Sequence, residues 1–113
     1  MTLGYEYCFS KQLECIFYKD DIVLGLSASG SSPNIMNALQ YADDHDGVPI
    51  SIVGFDGGVI LDWSNSRPGS ICLHVESPKL SYRMTEDAHM ILTHFIIEVL
   101  SNMKWNLLEK DVL

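Results

Sequence analysis

Ile22-Val23-Leu24-Gly25-Leu26-Ser27-Ala28-Ser29-Gly30-Ser31-Ser32-Pro33-Asn34 is the stretch on which the reading of this chain turns. Its first five residues form a short, unbroken apolar run, which suits a strand buried on both faces. A serine-rich turn follows at once. Ser32 then supplies a helix N-cap, and Pro33 a first helical residue whose missing N–H has no intrahelical partner to lose. Beyond it Ile35, Ala38, Leu39 and Ala42 recur at helical spacing, leaving Asn37, Gln40 and Asp44 for solvent. Strand, tight turn and capped helix in this order bring free backbone N–H groups and the positive helix end together on an anion such as phosphate. Ser27, Ser29, Ser31 and Ser32 add hydroxyl donors, Gly30 lets the backbone turn without a Cβ, and the lysine of a nucleotide-binding P-loop is absent. The same residues also make a plain flexible connection capped by Ser32, so the loop by itself does not establish a ligand.

Working outward, residues 5–17 place Phe9, Leu13, Ile16 and Phe17 on one helix face. Downstream, residues 49–55 read as a second strand closed by the turn Asp56-Gly57-Gly58, residues 59–65 as a short helix, and residues 70–75 as a third, β-branched strand. Thr85 is a suitable N-cap, with Glu86 and Asp87 in the first turn where the helix dipole favours negative charge. Ala88, Ile91, Leu92, Phe95, Ile96, Val99, Leu100 and Met103 then keep helical spacing for more than four turns, a stripe expected to pack on the sheet; residues 105–113 read as a fraying tail. Alternating strands and helices imply right-handed βαβ units and a parallel sheet, hence an α/β fold of the doubly wound, three-layer kind. Three strands make a thin core, so an additional strand or chain is expected to complete the sheet.

The 113 residues match one domain at most, and 47% hydrophobic against 19% charged residues is enough apolar material for a core. Fifteen acidic and seven basic side chains give a net charge of −8, with the basic residues scattered, which disfavours nucleic acid as a partner. Cys8, Cys15 and Cys72 are odd in number and contain no Cys-x-x-Cys pair, so neither a disulfide framework nor a zinc ribbon is expected. Cys72 has no basic neighbour in sequence to activate it, and Asp56 is read as a turn residue. The most apolar segment, Met90 to Leu100, is broken by Thr93, His94 and Glu98, so no membrane span is predicted and a cytoplasmic location is expected.

Several ordered motifs carry a family resemblance over most of the chain. Tyr5-Glu6-Tyr7-Cys8-Phe9 and its continuation, Ser27-x-Ser29-Gly30-x-Ser32 with Pro33-Asn34, Gly54-Phe55-Asp56-Gly57-Gly58, and Glu86-Asp87-x-His89 with His94 together resemble the sugar isomerase (SIS) domain. Within it they resemble the phosphoheptose, or sedoheptulose-7-phosphate, isomerases. The resemblance implies a flavodoxin-like SIS fold, with Ser27, Ser29 and Ser32 holding the phosphate of a sugar phosphate; Ala28 stands where threonine is also found. It implies His94 as the group that transfers a proton. Some members bind zinc through that histidine and a glutamine at the position of Glu86, so zinc at Glu86 and His94 is a further expectation. Spacing alone favours a different reading, since eight residues of helix separate the two by ~12 Å of rise. By that reading Glu86 serves the helix N-terminus and His94 is an ordinary surface or interface residue.

The family's Asn-Gly-Gly-Ser loop and its catalytic glutamate precede the segments matched here, and this sequence contains no Asn-Gly-Gly-Ser. Residues 1–113 are therefore expected to form a single, N-terminally incomplete domain with its first strands missing. The expected partner, besides a sugar phosphate, is a second copy or a complementary N-terminal chain. Two functions follow: an isomerase-like domain lacking part of its catalytic machinery, or a non-catalytic sugar-phosphate-binding or scaffold module. Glu86, Met90, His94 and Ile97 form a second stripe on the last helix, which suits contact with a neighbouring subunit.

Overall fold

The computed structural model describes residues 4–112, with side chains through Lys104. A 3-10 turn at Tyr5–Tyr7 leads into α1 (Cys8–Ile16), followed by β1 (Ile22–Ser27), α2 (Pro33–Asp44), β2 (Val48–Val53), α3 (Gly58–Asn65), β3 (Ile71–His74) and α4 (Tyr82–Val112). The strands form one parallel sheet in the order β1-β2-β3, in which Leu26 lies beside Ile52 and Ile52 beside Leu73. This is the α/β architecture with a parallel sheet that the alternating pattern predicts.

Strand side chains alternate between faces, so each face has its own set of partners. On the first face Val23, Val53 and Cys72 pack with Leu39 of α2 and with Ile60 of α3; Leu39, Val53 and Ile60 are fully buried. Gly25 belongs to this face, and a Cβ there would press into Ile35 and Leu39, so the glycine lets α2 lie close on β1. Outside α2 runs α1, joined to it by the edge-to-face contact of Phe17 with Tyr41 at 5.6 Å and, through the preceding turn, by Asn37 Nδ2 donating to the Glu6 carbonyl at 2.9 Å. On the second face lie Leu24, Leu26, Ile50, Ile52, Ile71 and Leu73. Leu26 lines a cavity with Glu86, His89 and Met90, which places α4 on this side as a third layer.

The α4 helix departs from its predicted form in three ways. It starts at Tyr82, three residues before the expected Thr85 cap, and it runs to Val112, so residues 105–112 continue the helix instead of fraying; Leu113 lies outside the described residues. Lys104, Leu107, Leu108, Glu109 and Lys110 are good helix formers, and after Pro78 no glycine or proline interrupts them. Thr85 is not a cap but an anchor. Its side chain is fully buried, its Oγ1 donates to the Ser81 carbonyl at 2.9 Å, and it lies 2.6 Å from Ser77 Oγ, which in turn accepts the Phe55 N–H at 3.1 Å. The inward face is therefore Thr85, Ala88, His89, Leu92, Thr93 and Ile96. Ile91, Phe95, Val99, Leu100 and Met103, expected to pack on the sheet, are exposed, with Ile91 at 69% and Phe95 at 66%. Helical spacing identified the apolar stripe, but the Thr85 anchor sets the rotation of the helix and turns much of that stripe outward.

Among the described residues no helix is long and apolar enough to cross a membrane, and Cys8, Cys15 and Cys72 are free. Replacing Thr85 by valine keeps the shape but removes both hydroxyl bonds. We expect Thr85→Val to lower unfolding stability by about 1–3 kcal/mol in urea denaturation, the usual effect of breaking a buried hydrogen-bond pair.

Candidate functional site

The serine loop sits at the C-terminal end of β1, where open parallel sheets commonly bind ligands. Its shape is held by bonds within the loop and by a second loop pressed against it. Ser27 is buried; its Oγ accepts the Gly30 N–H at 3.1 Å and shares a 2.9 Å bond with Ser32 Oγ. Ser29 Oγ accepts the Ser31 N–H at 3.2 Å. From the other side, Val59 N–H donates to Ser31 Oγ at 3.2 Å and Ile60 N–H to the Gly30 carbonyl at 2.8 Å, which joins the first turn of α3 to the loop. Gly30, Gly57 and Gly58 have φ of 69°, 89° and 58°, in the left-handed region that glycine enters without a Cβ penalty. They also meet one another: a Cβ on Gly30 would overlap the Gly57 carbonyl, and one on Gly58 would overlap Ser31 Oγ. Asp56 Oδ1 accepts the Gly58 N–H at 3.0 Å, the turn role expected for it.

Two cavities flank the loop. Ser29 and Ser31 line one of about 420 Å³, together with Phe55, Asp56, Glu76, Lys79 and Tyr82. Tyr82 stands edge-on to Phe55 with ring centroids 5.0 Å apart, which fixes the apolar wall. Lys79 is the cationic member of this lining, and Asp56 and Glu76 supply acceptors. Ala28, on the other flank, lines a cavity of about 320 Å³ with Leu26, Glu86, His89 and Met90.

The residues expected to hold phosphate are thus distributed. Ser29 faces the larger cavity, Ser27 is built into the loop, and Ser32 lines a separate cleft with Tyr5, Pro33 and Asn34. Glu86 lines the smaller cavity, but His94 does not; it lies on the exposed side of α4. No group of three or more His, Cys, Asp or Glu side chains converges as a metal site among the described residues. The zinc expectation at Glu86 and His94 finds no support here. The reading from sequence counted Ser31 among the hydroxyl donors of the loop but not among the three phosphate-holding serines, and it missed Lys79, which it counted among scattered basic residues. Lys79 lies in the connection after β3, five residues beyond His74, and the tendency of ligands to gather at the C-terminal ends of parallel strands was the signal that could have singled it out.

No family model matches the chain. It is similar to two phosphoheptose isomerases, from Chlorobium limicola (33% identity over 102 residues, 89% of this chain and 44% of the relative) and Fusobacterium nucleatum (36% over 98 residues, 84% and 45%). Among solved structures, phosphoheptose isomerase from Neisseria gonorrhoeae superposes with a TM-score of 0.75 at 30% identity, over 85% of this chain and 51% of that one. The enzyme from Francisella tularensis gives 0.76 at 27%, over 88% and 52%. Fold and loop thus define an α/β domain of the SIS type. Within that class the chain is similar to the phosphoheptose isomerases, and it spans about half the length of the curated relatives it matches.

The interlocked glycines give a sharp contrast. Gly30→Ala is expected to destabilise the fold by at least about 1–3 kcal/mol, because the new Cβ both meets the Gly57 carbonyl and is held at positive φ. Gly69, whose Cβ would meet nothing within 4 Å, should accept alanine with a change within about 1 kcal/mol. Thermal or urea unfolding of the two variants measures the difference.

Proposed function

We propose that this domain binds a sugar phosphate at the serine loop and belongs to a phosphosugar isomerase. The observation that carries the reading is the convergence of Ser29, Ser31 and Lys79 on one cavity at the C-terminal ends of the strands. A lysine ammonium and hydroxyl donors suit a phosphate dianion. The carboxylates of Asp56 and Glu76 suit the hydroxyl groups of a sugar chain as acceptors, and the Tyr82 and Phe55 rings offer it an apolar wall. Similarity to relatives named phosphoheptose isomerases supports the same substrate class, with sedoheptulose 7-phosphate as the first candidate.

Such an isomerisation removes a proton from one carbon and returns it to its neighbour through an enediol. The carbonyl and hydroxyl oxygens exchange a proton in the same passage, so both an acid and a base are needed. Next to the loop this chain offers Glu86 and His89, one on each side of Asp87-Ala88 on α4. His94 serves as the proton-transfer group in this proposal only when a further segment builds a cavity over the exposed side of α4. The reading is therefore that residues 1–113 alone bind the sugar phosphate and do not turn it over. A purely binding or scaffold role is the alternative, favoured by the absence of a convergent acid–base group around His94 among the described residues.

Calorimetric titration of the chain with sedoheptulose 7-phosphate should give saturable binding that inorganic phosphate competes away. Lys79→Met should weaken it about tenfold or more, as expected when a charge-assisted bond of about 1.5–3 kcal/mol is lost, and Ser29→Ala should weaken it less. Binding unaffected by either substitution, or no binding by the parent chain, sinks the proposal. Sugar-phosphate products followed in the same samples should not appear, and turnover by the chain alone would overturn both the binding-only reading of these residues and the scaffold role.

A further inference from the structure

Among the described residues, four that are not glycine have φ in the left-handed region: Asp20, Asp46, Phe55 and Leu80. Aspartate enters that region at small cost; phenylalanine and leucine do not. Phe55 and Leu80 both line the cavity of Ser29, Ser31 and Lys79. Residues strained in this way gather at ligand sites and persist where their surroundings over-determine them. The two are held very differently. Phe55, with φ of 45°, is 6% exposed and bound on every side: its N–H donates to Ser77 Oγ at 3.1 Å, its carbonyl accepts the Ser77 N–H at 3.3 Å and lies 3.0 Å from His74 Nε2, and its ring meets Tyr82. Leu80, with φ of 69°, is 70% exposed, so its strain is not offset by burial.

Leu80 is the third residue of the turn Pro78-Lys79-Leu80-Ser81, closed by the Ser81 N–H donating to the Pro78 carbonyl at 3.0 Å. Lys79 is not among the residues of positive φ, so the turn is of type II, whose third position favours glycine. A type I turn keeps the same closing bond and accepts leucine there, and the two forms differ chiefly by turning over the peptide between Lys79 and Leu80. Both ends stay fixed in that change. Ser77 is tied to Phe55 and Thr85, and the Ser81 carbonyl accepts the Thr85 N–H at 3.2 Å and its hydroxyl at 2.9 Å. A strained, exposed turn thus stands between two posts at the rim of the cavity.

We propose that this turn is a strap that closes on the sugar of a bound sugar phosphate, which makes Leu80 a specificity-determining residue of the cavity. The inference rests on the sugar-phosphate reading of that cavity and adds how a sugar phosphate is distinguished from bare phosphate. On occupancy the Lys79–Leu80 peptide turns over, Leu80 leaves the left-handed region, and its side chain gives up exposed surface by packing on the C–H groups of the sugar. A ligand shifts such an equilibrium only through contacts made in one state and not in the other. The sugar supplies those contacts. Inorganic phosphate, which engages the serines and Lys79 alone, does not.

The test uses the chain itself with two ligands, sedoheptulose 7-phosphate and inorganic phosphate. In proton NMR of the free chain the Lys79 Hα should show a strong Overhauser contact with the Leu80 N–H, the mark of a type II turn. Saturating sugar phosphate should replace it by a strong contact between the two N–H groups, the mark of type I, and inorganic phosphate should not. In calorimetry Leu80→Ala should weaken sugar-phosphate binding about fivefold or more, through lost apolar contact. Leu80→Gly should weaken it further, because glycine rests at positive φ without strain to release. Inorganic phosphate should bind the parent and both variants within about twofold of one another. Leu80 is exposed, so neither substitution removes core packing. An unchanged Overhauser pattern at saturation would overturn the strap, as would variants that bind sugar phosphate like the parent or lose both ligands equally. A parent chain that binds neither ligand would overturn the sugar-phosphate reading and the strap with it, so the two failures are told apart.

Discussion

The contact between the Ser27–Ser32 loop and the Asp56-Gly57-Gly58 turn governs the shape of this domain. Two connections that follow different strands touch backbone to backbone, and they can do so because each presents a glycine at positive φ where any Cβ would collide. The hydrogen bonds from Val59 and Ile60 to the loop then fix where α3 begins, while Ser27 and Ser32 close the loop onto the start of α2. One constraint therefore sets the positions of two helices and of the ledge that Ser29 and Ser31 offer to the larger cavity. The hydroxyls that hold the loop are largely committed to that task, so the loop presents a rigid, preformed surface in place of four freely rotating donors.

A second constraint, smaller in extent, orients α4. Ser77 bridges the Phe55 N–H and the Thr85 hydroxyl, which ties the end of β2, the segment after β3 and the start of the helix to one another. A Cβ on Gly54 would overlap Thr85, so the closeness of this approach again depends on a glycine. From that anchor the helix turns His89 inward and its aromatic and aliphatic stripe outward. The result is an asymmetric molecule, with one sheet face closed by α2 and α3 and the other only begun by α4. The rigid loop and the exposed stripe share one element, because the helix that walls one flank of the loop also carries Ile91, Phe95 and Leu100 on its exposed side.

Much of this was legible beforehand. The run from Ile22 to Asn34 announces strand, turn and helix because each step has a local cause: an apolar run, a glycine-containing serine turn, a cap followed by proline. The Gly54-Phe55-Asp56-Gly57-Gly58 segment was readable as a turn for the same reason. The family resemblance rested on these ordered motifs, and fold and relatives agree with it. What resisted reading was anything settled by rotation or by distance along the chain. Helical spacing cannot say which of two partly apolar stripes of α4 faces inward; Thr85 decides it through a bond to Ser77, eight residues away, which no periodicity reports.

The sequence by itself determined the element order, the parallel α/β class and the position of the serine loop, since propensity, capping and turn chemistry act over a few residues. Only the tertiary structure decided that Ser29 and Ser31 line one cavity with Lys79 while Ser32 faces elsewhere, that Leu26 and Ala28 share a cavity with Glu86 and His89, and that Gly57 sits against Gly30. Those are contacts between segments tens of residues apart, set by how the helices pack on the sheet, and packing depends on all the buried surfaces at once.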